Sequence, residues 1–179
     1  MPHINFDNID YLANGTSRQQ SAYRTLISLN ILSILQPFEA VLAGTIPLNI
    51  DIQGSDLDIL CHYTDKDFFM NTLLKEFSFL DRFKIYETSI AGTDAVVANF
   101  FADDWEVEVF GQSIPVKQQF GYRHMIIEHQ LLEYKGESFR QQIIQLKQQG
   151  YKTEPAFAKV LNLEGNPYIA LLDVDPSKH

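Results

Sequence analysis

Leu42-Ala43-Gly44-Thr45-Ile46-Pro47-Leu48-Asn49-Ile50-Asp51-Ile52-Gln53-Gly54-Ser55-Asp56-Leu57-Asp58-Ile59-Leu60 is the stretch from which the fold is read. A short apolar run ends at the Gly44-Thr45 turn, and a loop with Pro47 and Gly54 follows. The loop delivers the chain to Ser55-Asp56-Leu57-Asp58. Successive side chains of a strand point to opposite faces, so Asp56 and Asp58 share one face while Leu57 and Ile59 point into a core. Two carboxylates so spaced can hold one divalent cation. A Gly-Thr turn upstream can offer backbone N–H groups and a hydroxyl to a phosphate. The combination points to metal-assisted phosphoryl chemistry on a nucleotide.

The neighbouring elements follow from local pattern. Ser17 with Gln20 reads as a capping box, and the apolar positions Tyr23, Leu26, Ile27, Ile31, Ile34 and Leu35 predict a helix that Pro37 ends. Residues 38–43 predict a short strand, residues 45–55 an exposed loop, and residues 56–63 a second strand. Thr64 or Asp65 is the expected cap of a helix that runs to about Phe77, with Phe68, Phe69, Leu73 and Leu74 as its apolar stripe. Three strands are expected over 83–90, 95–101 and 105–110, joined by the short turns 91–94 and 102–104 that suit antiparallel hairpins. From about Gln118 the chain reads as helices, with Gly136, Gly150 and Gly165 as punctuation. The expected architecture is α/β (α+β): a mixed, largely antiparallel central sheet with flanking helices. A single domain is expected over 1–179, its sheet core in about 1–115 and its helices in about 116–179, packed on the sheet to wall a cleft.

Composition sets bounds on function. The chain has 179 residues, 45% of them hydrophobic, with 13 Phe and 8 Tyr, which suffices for a core without disulfides. Its one cysteine, Cys61, fits a reducing compartment and reads as a buried small side chain. The first ten residues lack the basic and apolar segments of a secretory signal, and no apolar run nears the ~20 residues that span a bilayer. A cytoplasmic location is the expectation. The 14 Lys and Arg are outnumbered by 23 Asp and Glu, a formal net charge of −9. Binding a long nucleic acid draws on a basic stripe. The acidic balance therefore argues against a nucleic-acid acceptor and for a small molecule or a protein.

Trp105-Glu106-Val107-Glu108-Val109-Phe110 supplies two more carboxylates on one face of a strand. Read alone, Asp56 and Asp58 suit a solvated strand edge, and Glu106 and Glu108 suit a polar sheet face. If the two strands are neighbours, one glutamate completes a three-carboxylate cluster suited to Mg²⁺, with a two-metal site as a further reading. Glu108, flanked by Val107 and Val109, is preferred and Glu106 is the alternate. Lys117 and Arg123 are the candidate phosphate partners, because arginine forks match phosphate oxygens. His124 and His129, five residues apart, fall on different helix faces and do not read as a zinc pair. Asp51 reads as a solvated loop residue.

Gly44-Thr45, the intervening loop, Ser55-Asp56-Leu57-Asp58-Ile59 and a later apolar-Glu-apolar strand resemble the nucleotidyltransferase superfamily related to DNA polymerase β. The whole chain also looks like a bacterial family of uncharacterised, minimal nucleotidyltransferase-like proteins. The resemblance implies Mg²⁺-dependent transfer of a nucleoside monophosphate from an NTP such as ATP to a hydroxyl, with release of pyrophosphate. It implies Asp56, Asp58 and Glu108 as metal-binding catalytic acids, and Gly44, Thr45 and Ser55 at the nucleotide. Thr45 stands where serine is commoner and keeps the hydroxyl. A catalytically inactive module that binds a nucleotide or a partner protein is the alternative function.

Overall fold

The computed structural model describes residues 4–90 and 92–178. Strands β1 (Val41–Ala43), β2 (Leu57–His62), β3 (Asp81–Ile90), β4 (Thr93–Ala102) and β5 (Trp105–Gln112) form one sheet in the order β1-β2-β5-β4-β3. Only β2 and β5 pair in parallel; the other three pairs are antiparallel. The mixed, largely antiparallel sheet expected from the sequence is therefore present. Asp103 supports the β4–β5 turn at φ 51° and also accepts a hydrogen bond from Thr25 Oγ1 at 2.6 Å. Ala91, expected in the β3–β4 turn, lies outside the described residues.

The first helix differs in detail from its reading. Helix α1 (Ser17–Ser28) is capped by Thr16 and Gln19 in a reciprocal box, one residue earlier than Ser17 and Gln20. It stops at Leu29, because Asn30 takes the left-handed conformation at φ 53° before a single turn, α2 (Ile31–Ile34). Phe38, expected in the first strand, instead ends a short 3₁₀ turn. Helix α3 (Lys66–Phe77) begins where Asp65 accepts the Phe68 amide at 3.0 Å. Its buried stripe is Phe69, Leu73 and Phe77, while Phe68 and Leu74 stay exposed.

Two hydrophobic clusters sandwich the sheet. On one face Leu57, Ile59, Cys61, Val107 and Val109 pack with Leu26 of α1 and Phe69, Leu73 and Phe77 of α3. Gly111 belongs to this layer: a Cβ there would overlap the Phe69 ring. Gly111→Val is therefore expected to lower stability by about 2 kcal/mol or more through overpacking, read by urea unfolding.

On the other face Val41, Ala43 and Leu60 meet helices α4 (Phe120–Lys135), α5 (Glu137–Gln148) and α6 (Thr153–Leu161), through Met125, Leu132, Phe139, Ile143 and Phe157. The last short helix is α7 (Pro167–Ala170), and Gly136, Gly150 and Gly165 lie in the breaks between these four helices. This second cluster contains no residue of β3 or β4. The helices pack against β1, β2 and Phe110 of β5.

The loop between β1 and β2 is not the exposed segment that Pro47 and Gly54 suggest. Ile46, Leu48 and Ile50 are buried. Gln19 Nε2 donates to the Ile46 carbonyl at 2.9 Å, and Arg140 donates to the Leu48 carbonyl. Asp51, read as a solvated loop residue, is buried at its carboxylate and accepts from Arg18 Nε at 2.6 Å. Arg18 also stacks over the Trp105 ring at 4.3 Å. The loop is thus packed and pinned from α1 and α5, so the Gly44 turn and Ser55 are held at set positions.

Candidate functional site

The parallel pairing of β2 with β5 decides the site. Leu57 is opposite Val107 and Asp58 is opposite Glu108. Because partners in register share a face, Asp58 and Glu108 are direct neighbours. Ala43, Asp58, Glu108, Asn99 and Lys84 make one row across all five strands. Asp56 precedes the first residue of β2 and lies at the same mouth.

Above the row is a cavity of about 740 Å³. Its floor carries Asp56, Asp58 and Glu108, its near wall Gly44, Thr45 and Ser55, and its roof helices α4 to α6. Glu106 does not line it and is exposed, so the structure brings Glu108 rather than Glu106 to the two aspartates. Ser55 lines the wall while its Oγ accepts the Ile52 amide at 3.0 Å. At Gly44 the backbone has φ +75°, and a Cβ would overlap the Asp58 carboxylate. Glycine is needed there on both counts, since L side chains avoid that region.

Lys117 and Arg123 are elsewhere. Lys117 pairs with Asp7 at 2.9 Å, and Arg123 is exposed above the Phe120 ring at 5.9 Å; neither lines the cavity. The cations that do are Lys147 and Lys152. Lys147 is only 6% exposed and has no direct ion pair among the described residues. Glu128, 4% exposed, lines the same wall with one carboxyl oxygen that lacks a hydrogen-bond partner.

Both residues had a signal in the sequence. Phe139, Ile143 and Lys147 recur at four-residue spacing, which puts a lysine on the apolar stripe of α5. Glu128 sits likewise among Met125, Leu131 and Leu132 on α4. A charge on a buried stripe is costly unless something answers it. His124, on the same helix, has Nε2 at 2.8 Å from the Tyr168 carbonyl and Nδ1 at 3.5 Å from Glu154. A carbonyl only accepts, so Nε2 carries the proton. His129 packs edge-on to Phe6, away from His124.

The electrostatics describe a site short of positive charge. Burial first, then Asp56 and Glu108, push the Asp58 carboxyl up to about 7, with Lys147 opposing. Burial pulls Lys147 down to about 8 against the pull of Glu128, Asp51, Asp58 and Asp56. Glu128 is held well above the ordinary range by burial and then by Glu154. A divalent cation would relieve the repulsion at Asp58.

The donors available are carboxylate oxygens, which suit Mg²⁺. Among the described residues no three His, Cys, Asp or Glu side chains form a ready-made metal site. Glu108 accepts from Asn99 Nδ2 at 3.2 Å, which draws it toward β4. Mg²⁺ commonly uses one or two carboxylates and takes its remaining ligands from water and substrate phosphate. The neighbouring carboxylates with a bound triphosphate fit that pattern.

A family model described as a domain of unknown function (DUF4269) matches residues 24–174. No curated protein matches the sequence. The fold is similar to that of the Cid1 poly(U) polymerase with MgGTP bound, with TM-score 0.56 and 11% identity over 79% of this chain and 48% of that one. It is also similar to a chain of the GLD-2/RNP-8 complex, with TM-score 0.52 and 15% identity over 85% of this chain and 57% of that one. The polymerase core of TRAMP, an RNA surveillance complex, matches with TM-score 0.51 and 11% identity over 91% and 50%. This chain spans about half the length of these structures. The likeness is one of fold, that of the polymerase β-like nucleotidyltransferases, as the sequence resemblance implied. No helix among the described residues is long and apolar enough to cross a membrane.

Proposed function

Because this chain belongs to the family described as a domain of unknown function (DUF4269) and has a polymerase β-like nucleotidyltransferase fold, we propose that it is a metal-dependent nucleotidyltransferase. It moves a nucleoside monophosphate from an NTP to a hydroxyl. The observation that carries this reading is the register of Asp58 with Glu108 beside the Gly44 turn, under one cavity. In the reaction a bond forms between the acceptor oxygen and the α-phosphorus, and the bond from that phosphorus to the α,β-bridging oxygen breaks. Pyrophosphate leaves, and the hydroxyl proton passes to a base.

The chain's own groups divide the work. Asp56, Asp58 and Glu108 would hold Mg²⁺, in one or two sites. When bound, Mg²⁺ neutralises phosphate charge and acidifies the acceptor hydroxyl. The Gly44-Thr45 turn faces the triphosphate with backbone N–H groups and a hydroxyl, with Ser55 beside it. Lys147, buried and without a direct ion pair among the described residues, supplies the fixed positive charge for the leaving pyrophosphate. Glu108, at the border of β5 and β4, would take the acceptor proton. The helical roof limits water at the reacting phosphorus.

Isothermal titration with ATP, with and without Mg²⁺, tests the nucleotide site, and mass spectrometry of candidate acceptors for an added nucleoside monophosphate tests transfer. Lys147→Ala is expected to weaken Mg-ATP binding tenfold or more, about 1.4 kcal/mol, while Lys117→Ala changes it less than twofold. Equal affinity in Lys147→Ala and wild type removes Lys147 from this role. Binding of Mg-ATP with no pyrophosphate released, whatever hydroxyl is offered, would favour a nucleotide-binding module instead. The cytoplasm remains the compartment expected for an NTP-using protein with one buried cysteine.

A further inference from the structure

The row that carries the acids does not stop at Glu108. It continues through Asn99 on β4 to Lys84 on β3, two strand spacings or about 10 Å beyond Glu108. The next row runs Leu60, Phe110, Val97, Tyr86. Leu60 and Phe110 belong with the helical roof, but no residue of β3 or β4 does. Val97 is buried, whereas Tyr86 on the edge strand is 48% exposed and Ile90, at the end of β3, 44% exposed. Ile90 also lines the cavity, so the cavity reaches the end of β3.

Direction follows from the chemistry. In-line displacement puts the incoming hydroxyl opposite the leaving pyrophosphate. The phosphate-facing groups, Gly44, Thr45 and Lys147, lie on the β1–β2 side; Lys147 interacts with Asp51 in the loop joining those strands. The hydroxyl must then arrive over β5, from the side of β4 and β3. On that side no residue joins the helical cluster, and although Ala95 and Val97 of β4 are buried, Lys84 and Tyr86 of β3 are exposed.

The charges on this face are few and specific. Arg82 is engaged, with Nε 3.7 Å from Asp81 and its guanidinium 4.8 Å from the Phe101 ring centre. Glu106 shares a row with Phe101 and is exposed, a negative boundary. Lys84 is exposed and has no ion pair among the described residues. One cation beside one exposed aromatic ring suits one phosphate beside one planar ring. A polynucleotide would need a run of cations, and Glu106 would repel its next phosphate.

We infer that the β5-β4-β3 face is the acceptor platform, and that it takes a small acceptor bearing a single phosphate next to a planar ring, held by Lys84 and Tyr86. This rests on the transfer reading above and names its acceptor class. Lys84 meets the phosphate, Tyr86 stacks on the ring, and Asn99 lies between them and Glu108.

The test uses the full ¹⁵N-labelled chain and adenosine 5′-monophosphate as the probe, titrated with and without Mg²⁺ and a non-hydrolysable α,β-methylene ATP that fills the cavity. The expected result is a shift of amides in 84–90 and 95–101 that persists with the ATP analogue present. Lys84→Gln should weaken the probe tenfold or more and Tyr86→Ala about fivefold, with Mg-ATP affinity unchanged in both. Adenosine and inorganic phosphate alone should each bind at least tenfold more weakly than the monophosphate. The inference is overturned if no β3 or β4 amide moves, if Lys84→Gln binds like wild type, or if phosphate alone binds as well. It is also overturned if a ten-nucleotide RNA binds the same face more than tenfold tighter than the monophosphate, because the acceptor is then a polymer. Failure of Mg-ATP to bind wild type is a separate result that removes the parent reading, since the probe titration without nucleotide is read on its own.

Discussion

Asp58→Asn is expected to make the protein more stable above pH 7 and to abolish transfer. The Asp58 carboxyl is pushed up to about 7 by burial and by Asp56 and Glu108. A group with a raised folded-state pKa binds more protons folded than unfolded between the two values. Stability therefore falls as pH rises from about 4 to about 7, and above that the whole penalty is present. Asparagine mimics the neutral form and escapes it. The gain at pH 8 is on the order of 4 kcal/mol, since each tenfold change in proton affinity is worth about 1.4 kcal/mol, and it should vanish near pH 4. Thermal unfolding of both proteins at pH 4, 6 and 8 measures it. On the proposed function, loss of transfer should exceed a thousandfold, because the variant would remove a charged metal ligand beside the reacting phosphate. A variant that is no more stable at pH 8 than at pH 4, relative to wild type, would mean that Asp58 does not carry the repulsion.

Mg²⁺ with ATP should reverse the order. The wild type gains stability from the bound cation, as any ligand of the folded state confers. Asp58→Asn should gain little. On the proposed function, the same residue would be costly to the empty fold and necessary to the loaded one.

Gly44→Ala carries the second large effect. Its backbone stands at φ +75°, where alanine costs about 1 kcal/mol relative to glycine, and the added Cβ would overlap the Asp58 carboxylate. The strain alone would be modest; displacement of Asp58 is the larger consequence. A shift of about 1 Å in a group at the reacting centre can cost about a hundredfold in rate. The expected outcome is a small fall in melting temperature, a tenfold or greater loss of Mg-ATP affinity and a hundredfold or greater loss of transfer. Gly165→Ala is the control: it has φ +84° with nothing near its Cβ position, so it should show the strain without the functional loss.

Much of this site is legible along the chain. The alternation in Asp56-Leu57-Asp58-Ile59 places Asp58 opposite the core, and Leu57 and Ile59 are buried. The short turns before β4 and β5 imply the antiparallel β3-β4-β5 unit that is present. Asp65 caps α3 as its position suggests. These are local matters, governed by side-chain periodicity, capping and turn length.

The departures are non-local. Residues 45–55 look like a solvated loop because proline, asparagine and glycine punctuate them, but Ile46 is drawn into the cluster with the N-terminal helices and Leu48 and Ile50 into that with the C-terminal ones. Lys117 and Arg123 read as phosphate partners because their cationic side chains match phosphate oxygens, whereas the buried cation at the cavity is Lys147, on the apolar stripe of α5.

The sequence by itself determined which face each carboxylate of β2 and β5 occupies, since alternation along a strand is a property of the backbone. Only the tertiary structure decided that β2 lies beside β5. Parallel pairing of β2 with β5 joins residues some fifty positions apart, and no local pattern specifies its register. That register puts Asp58 against Glu108, leaves Glu106 outside and carries the row on to Lys84. The physical reason is that strand register is chosen by burying both sheet faces at once, which depends on helices from both halves of the chain.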